Sequence, residues 1–521
     1  MEINRLPMSK RAYHCCAMTT RRDFIRTTAA TGLIAALPGC VSSTPSAPRL
    51  RTPAALVQGT MRTRRPDEEL RVAVIGVRGR GWNHVQAFQR LDHVDVVALC
   101  DCDRGVLDRR AAEFEHLHER RIDAVVDYRD LLERSDIDIV SIATPNHWHA
   151  LMTVEACNAG KDVYVEKPVS HNIAEGEHIL EAAATTGRIV QAGTQSRSCP
   201  AIRDGIAWMH EGHLGGMTVA RGLCYKPRQP IGLVDGPRTP PDGIDYDLWC
   251  GPAPMKPLMR RNLHYDWHWD TDTGNGDIGN QGIHQMDICR WAIGALSMPQ
   301  RVGSIGGRLG YRDDGNTPNT QVALLEYGTI PLLFEVRGLP KDLDSQQRNW
   351  NGSMDTYMGQ RIAAIIHCEG GALVVPTGAR DCWAVDEHGR RVESWSESAD
   401  HFANFITAVR SRNSAELNAD IIECVRSSNL CHLASISHAL GAPGSAADAM
   451  QAAGDHAAYG EAVDRMINHL HANAVDVGAS TLSIGPTLEI DPAHDRFAQD
   501  DAANTLMARV ERAPYTFPER S

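Results

Sequence analysis

The sequence predicts an α/β Rossmann domain with a doubly wound parallel sheet, followed by an open, mostly antiparallel β-sheet domain with flanking helices. Three observations carry this. An apolar strand runs into a glycine-rich turn at residues 71–81, further short apolar strands alternate with helix-length segments up to residue 192, and after residue 194 strands follow one another without regular helices. The 521 residues are 42% hydrophobic and 23% charged, the composition of an ordinary folded protein long enough for two domains. A net charge of −12 argues against nucleic acid or an anionic membrane surface as a partner.

The first element is a leader. Thr20–Arg26 reads TRRDFIR and is followed by the apolar TTAATGLIAAL and then Pro38, Gly39 and Cys40. Paired arginines ahead of a short alanine-rich run have the form of a twin-arginine export signal, which predicts engagement of the twin-arginine machinery and a periplasmic or exported protein. At about eleven residues the run is too short to span a bilayer, which takes about 20. Met18 is an alternative start. LPGC has the form of a lipoprotein cleavage box, but Pro38 is unusual there, so lipidation of Cys40 stays open. Residues 1–40 are thus the signal region, and residues 41–68, rich in Ser, Thr, Pro and Arg, read as a disordered linker.

Residues 69–193 form the Rossmann domain. Arg71–Ile75 is its first strand, and Gly76, Gly79 and Gly81 form the turn that opens a helix, whose free N–H groups cradle a pyrophosphate. Arg78 stands where the strict G-x-G-x-x-G pattern has its middle glycine, and Arg80 lies between the last two. A second strand, Val94–Cys100, ends in Asp101, 20 residues past Gly81, where an acid receives a ribose 2′-hydroxyl. That favours NAD. Arg78 and Arg104 are also placed to receive a 2′-phosphate, which leaves NADP open. The strand Ile137–Ala143 delivers Thr144, Pro145, Asn146 and His149 to the same crevice, and the run Val163–Val165 delivers Glu166, Lys167 and Pro168. A last strand, Arg188–Ala192, leads to Gln195. Lys167, at the end of a parallel strand and beside the dinucleotide, is the first candidate for catalysis.

Residues 194–521 form the second domain. Strands are predicted at Thr218–Tyr225, Val302–Leu309, Gln321–Tyr327, Pro331–Arg337 and Arg361–His367, with helices over Ala399–Arg412 and the alanine-rich 446–473 packed around them. Asn280, His284, Asp287 and Trp291 are spaced to form one stripe if their segment is helical. Before them lies HYDWHWD, with Trp267 and Trp269, and four of the 10 tryptophans fall between residues 249 and 291. Aromatic faces pack on the C–H faces of sugar rings, and they equally fill the core of a long loop. His264, His268, Asp266 and Asp270 lack the tight spacing of a metal centre, so no metal is predicted. The 14 cysteines show no framework spacing and lie in apolar settings, which predicts buried thiols rather than disulfides.

The motifs AVIGVRGRG, ALCDCD, ATPNHWHA, YVEKP, VQAGTQSR and GNGDIGNQGIHQMDICRW together resemble the Gfo/Idh/MocA family of glucose-fructose oxidoreductase and inositol dehydrogenase, over about residues 70–515. The resemblance implies that Lys167 touches a substrate hydroxyl, that His284 exchanges its proton and Asp287 orients that histidine, and that Arg197, Trp267, Trp269 and Asn280 face the substrate. It also implies a homo-oligomer built through one face of the antiparallel sheet. The substrate class is a carbohydrate or polyol. Outside the cytosol no NAD pool exists, so the cofactor is expected to be tightly bound and recycled in place. This fits net oxidation with a second substrate, or the redox-neutral glycoside cleavage of the family's NAD-dependent glycosidases; a non-catalytic nucleotide-bound sugar sensor is the third reading. The chain departs from the family at Asn280, where an aspartate is usual. A neutral amide there contributes no charge, which predicts that His284 titrates near the ordinary ~6.5.

Overall fold

The computed structural model describes residues 63–378, 380–479, 481–491 and 494–518. The twin-arginine segment, Cys40 and residues 41–62 of the linker lie outside them; residues 63–68, expected to be disordered, are tied down by Arg64, which pairs with Asp138 and donates its N–H to Arg410 O. Six parallel strands, β1 (Leu70–Ile75), β2 (Val94–Cys100), β3 (Asp123–Val125), β4 (Ile139–Ile142), β5 (Asp162–Val165) and β6 (Val190–Ala192), stand in the order β3-β2-β1-β4-β5-β6. The order reverses between β1 and β4, which opens a crevice at the carboxyl ends of the strands. The strands read as unbroken apolar runs because both faces are covered: Val72 and Val74 pack with Phe88 on one side, Ala73 and Ile75 with Ile142 and Leu151 on the other. Only β3 escapes sequence reading, since it is three residues long and two of them are exposed.

The second sheet carries β7 (Met217–Tyr225), β8 (Arg301–Gly307), β9 (Thr320–Tyr327), β10 (Ile330–Arg337), β11 (Ile362–Cys368), β12 (Gly371–Pro376), β13 (Asp381–Asp386) and β14 (Arg391–Ser396) in the order β14-β13-β12-β11-β7-β10-β9-β8. Its pairs are antiparallel except β7 with β10. Side chains alternate across it. Ala323, Leu325, Leu332 and Phe334 meet Ile283, Met286 and Cys289 of the helix Gly282–Ile293 on one face, while Val322, Leu324 and Leu333 meet Val463, Met466 and Leu470 of the helix Ala457–Ala472 on the other. A Cβ at Gly282 would lie 2.6 Å from Phe334, so glycine is what lets the first helix settle onto the sheet.

On the other face the chain's own helix Ala457–Ala472 packs on β9 and β10, keyed in by Arg465 and Arg221 on the fully buried Glu335. One expectation is corrected here. The helix predicted over Ala399–Arg412, observed as His401–Ser411, does not flank the second sheet. Its Phe402, Phe405 and Ile406 pack on Phe88 and Tyr164 of the Rossmann domain, and Phe402 stacks on Tyr164 with centroids 4.6 Å apart. The longest helix, Ile421–Ala439, joins the two halves: Val425 enters the Rossmann core and Leu430, Leu433 and Ala434 enter the core of the second sheet. The 11 described cysteines are free thiols, ten of them buried.

Candidate active site

A cavity of about 590 Å³ opens at the switch point, within the range of small-molecule sites. Its floor is the turn after β1. Gly76 has φ +82°, and a Cβ there would lie 2.7 Å from the Ala143 carbonyl oxygen; a Cβ at Gly81 would lie 2.1 Å from Gly76 O. Gly81 therefore acts by packing, behind the cavity wall. At Gly79 nothing lies within 4 Å of a Cβ position, and the helix Arg80–Gln89 opens there; its Trp82 N–H turns back to Gly79 O (3.0 Å), which leaves those of Arg80 and Gly81 for a ligand. This cradle fits a pyrophosphate. Arg110, which no sequence pattern singled out, staples the turn from behind through Nε to Val77 O (3.2 Å) and Nη2 to Arg78 O (2.6 Å).

Asp101 lines the cavity at the end of β2 and accepts the Val77 and Asp103 N–H groups at 3.0 and 3.1 Å. Burial pushes its carboxyl up to about 6, against those two bonds. Each carboxylate oxygen has a second lone pair, which leaves acceptor capacity for a ribose hydroxyl. Arg78 lines the same end, whereas Arg104 does not. Thr144, Pro145, Asn146 and His149 line the wall after β4. His149 is nevertheless a structural clasp, its ring nitrogens on Pro168 O (2.6 Å) and Thr144 O (2.8 Å). Asn146 donates to Asn275 Oδ1 at 3.0 Å.

Glu166 is buried and fully engaged. Oε1 accepts Arg80 Nε at 2.7 Å, His84 Nε2 at 3.1 Å and Gln195 Nε2 at 3.3 Å, and the Arg80 guanidinium holds the carboxyl well below its usual range. Its neighbour Lys167 reaches the opposite wall, where Nζ donates to the Asn280 carbonyl at 2.6 Å. Burial lowers the lysine's pKa, and two of its three N–H donors have no protein partner among the described residues.

The predicted single stripe is broken. One short helix, Gly276–Asn280, ends at Gln281 and a second begins at Gly282. His284 N–H turns to Gln281 O (3.2 Å), three residues back, and the Asn280 carbonyl is left to receive Lys167. Asn280 thus contributes its backbone. His284 lines the cavity with no protein hydrogen bond to its ring among the described residues, and burial with the Lys167 ammonium pushes it down to about 3 rather than the expected ~6.5.

Three other expectations are corrected. Asp287 does not hydrogen-bond His284: its fully buried carboxylate accepts Arg197 Nε at 2.8 and 3.0 Å and Ser427 Oγ at 2.6 Å. Arg197, so held and stacked 5.4 Å from the centroid of Trp291, does not line the cavity. Trp269 is buried beneath Arg228, whereas Trp267 lines the cavity and stacks on His268 at 3.6 Å. The residues of the possible metal set are separately engaged: His264 with Asp103, His268 with Tyr265 O, Asp266 with the Asn262 N–H and Asp270 with Arg260. His268 is the group that sequence reasoning passed over. Nδ1 must donate to the Tyr265 carbonyl (2.6 Å), so Nε2 keeps a lone pair, and burial pushes the ring down to about 4.

Residues 70–194 match the model of the oxidoreductase family's NAD-binding Rossmann fold, Gfo/Idh/MocA, and residues 233–302 match its C-terminal alpha/beta domain. Over both segments the chain is similar to Gfo/Idh/MocA oxidoreductases. The first is an NAD-binding Rossmann domain, and the cradle, Asp101 and the cavity agree with it. Among curated relatives, an alpha-N-acetylgalactosaminidase of Shewanella oneidensis is 40% identical over 124 residues, 23% of this chain and 27% of that protein. A glycosyl hydrolase family 109 protein of Shewanella baltica is 41% identical over 122 residues, 22% and 26% of the two chains. The match thus spans about a quarter of these relatives' length. Among solved structures, the WlbA dehydrogenase of Bordetella pertussis, in complex with NADH and UDP-GlcNAcA, aligns over 71% of this chain and 97% of its own with TM-score 0.50 and 17% identity. A putative NADPH-dependent oxidoreductase of Desulfitobacterium hafniense aligns over 70% and 95% with TM-score 0.52 and 16% identity. At these identities the likeness is one of fold.

Proposed function

We propose that the chain is an exported NAD-dependent oxidoreductase acting on a carbinol of a sugar or polyol, with its cofactor held tightly and recycled in place. The observation that carries this is that Lys167 Nζ and the His284 imidazole share one cavity with the Gly76–Gly81 cradle, the lysine with donors to spare and the histidine neutral. NAD, when bound, supplies the acceptor for a hydride. Lys167 holds the carbinol oxygen by hydrogen bonding, and His284 takes the hydroxyl proton as that oxygen becomes a carbonyl. Arg80 and His84 fix Glu166, and Glu166 receives the Lys167 N–H (3.2 Å), so this network positions the lysine. Trp267, stacked on His268, offers an aromatic wall for a sugar ring.

A second reading is redox-neutral glycoside cleavage, supported by the names of the relatives matched over the Rossmann segment and by His268. A carbonyl at the oxidised carbon acidifies the adjacent C–H, and His268 Nε2 would be the base that removes that proton as the aglycone leaves; water would then add across the resulting double bond, and return of the hydride to the carbonyl would restore both the alcohol and the oxidised cofactor. Products separate the two. Mass spectrometry of the denatured, cytosolically loaded protein identifies the dinucleotide, and a panel of sugars and glycosides is followed at the nicotinamide absorbance band and by sugar release. Reduced cofactor accumulating without cleavage supports the first reading, and sugar release without net reduction supports the second. Turnover of neither kind, with Lys167→Ala and His284→Asn indistinguishable from wild type, removes both.

A further inference from the structure

A second chamber, of about 470 Å³, adjoins the first: Arg80, Gln195 and His284 line both. Its other polar walls are Ser196, Gln281, Thr377, Ser398 and Arg380, and among the described residues no carboxylate lines it. Gln285 Nε2 donates to Thr377 Oγ1 (3.0 Å), which ties the turn carrying Arg380 to the helix of His284.

The charge balance around His284 is one-sided. Each nearby carboxylate is already neutralised by its own arginine: Glu166 by Arg80, Asp277 by the two-pronged grip of Arg228 at 2.5 and 2.7 Å, and Asp287 by Arg197. Lys167, Lys226 and Arg380 make no ion pair among the described residues. Lys226 reaches only Gln281 Oε1, at 3.4 Å, and Lys167 only the Asn280 carbonyl. Of these only Arg380 lines the second chamber; Lys167 lines the first cavity, and Lys226 reaches the chamber wall through Gln281. In a chain with 65 acidic and 53 basic side chains, a chamber walled by Arg80 and the unpaired Arg380 is not a consequence of composition.

Resting on the reading of the first cavity as a sugar carbinol site, we infer that the substrate carries an anionic substituent, a carboxylate or a sulfate ester on the sugar. The anion seats in the second chamber against Arg380, beside Arg80, while the carbinol lies between Lys167 and His284. An arginine fork matches the oxygens of either anion, and the surplus positive charge draws such a sugar toward the cleft. Neutral hexoses lack the group that would satisfy Arg380.

The test measures calorimetric binding to the full holoprotein with matched methyl glycosides of glucose and galactose, each as the neutral sugar, the uronate and the 6-sulfate. The expected result is an anionic member of one series binding about tenfold to a hundredfold more tightly than its neutral parent, the worth of a charge-assisted bond. Uronate against sulfate identifies the anion. The preference should shrink with added salt, since Arg380 is exposed, and should collapse in Arg380→Gln but persist largely in Arg380→Lys. Equal affinities, or no measurable binding of any anionic member, overturn the inference. Turnover is scored separately: tight anionic binding with no oxidation or cleavage keeps the inference and removes the proposed activity. Turnover of neutral sugars without anionic preference does the reverse.

Discussion

The depressed His284 is the most exposed point of the proposed chemistry. With a pKa of about 3, the imidazole stays about 99% neutral at pH 5; at an ordinary ~6.5 only about 3% would be neutral. If neutral His284 takes the carbinol proton, the rate of the oxidation step should therefore be nearly the same at pH 5 and pH 7.5, where an ordinary histidine would lose about thirtyfold. Restoring a carboxylate with Asn280→Asp should raise the pKa by about 1 to 3 units if the new charge comes within about 4 to 6 Å, because an anion stabilises imidazolium. The acid limb would then enter the range between about 4 and 6. The measurement is a stopped-flow single turnover of holoenzyme from pH 4.5 upward, with histidine-selective NMR titration of the same samples to read His284 directly. A wild-type limb near pH 6.5 that disappears in His284→Asn refutes the depressed pKa. A limb indifferent to both His284→Asn and Asn280→Asp assigns proton transfer elsewhere, with Lys167 the next candidate.

Three further outcomes are expected. Asp101→Asn should weaken NAD about tenfold to a hundredfold and narrow discrimination against NADP, and in the wild-type protein that discrimination should narrow as pH falls through about 6, where the Asp101 carboxyl gains its proton and ceases to repel a 2′-phosphate; equilibrium titration of both dinucleotides at pH 7.5 and 5.5 checks this, and unchanged ratios remove Asp101 from the ribose site. Glu335→Gln leaves Arg221, Arg337 and Arg465 around a neutral amide and should cost about 3 to 5 kcal/mol, visible as a lowered denaturation midpoint. An unaltered midpoint would mean that the buried cluster does not hold the helix Ala457–Ala472 on the sheet. Replacing Arg21 and Arg22 by Lys should retain the protein in the cytosol, and unchanged cell fractionation refutes twin-arginine export.

The Rossmann half was legible in the sequence because strands covered on both faces must be apolar throughout, and because the turn at Gly76 needs a residue that tolerates positive φ and Gly81 one that tolerates close packing. Lys167 was legible because a parallel strand carries the residues beyond its carboxyl end to the switch point, and His284 through the resemblance that GNGDIGNQGIHQMDICRW carries; both line the cavity. The residues that escaped depend on partners far away in the chain. Arg197 and Asp287 are ninety residues apart in sequence and find each other only in the folded protein, so neither the arginine nor the acid announces that it is spoken for. Trp267 and Trp269 looked alike, yet a short 3₁₀ turn sends one to the cavity and the other beneath Arg228. The helix break at Gln281 had no proline to mark it.

That break bears on why the proposed chemistry falls to a lysine and a neutral histidine. A continuous helix would satisfy the Asn280 carbonyl from within. The break presents it to Lys167 instead, which anchors the ammonium without supplying a counter-charge. Glu166, Asp277 and Asp287 all lie close to Lys167 and His284, and each is committed to an arginine that occupies it. Burial and the Lys167 ammonium outweigh the upward pull of Glu166 and Asp287 on His284, so the imidazole remains neutral and able to accept a proton. A site so arranged separates two duties that a single aspartate beside the histidine would mix: arginine-bound acids fix the scaffold, and uncharged or cationic groups face the substrate. The surplus of positive charge this leaves is what an anionic substituent on the sugar would answer.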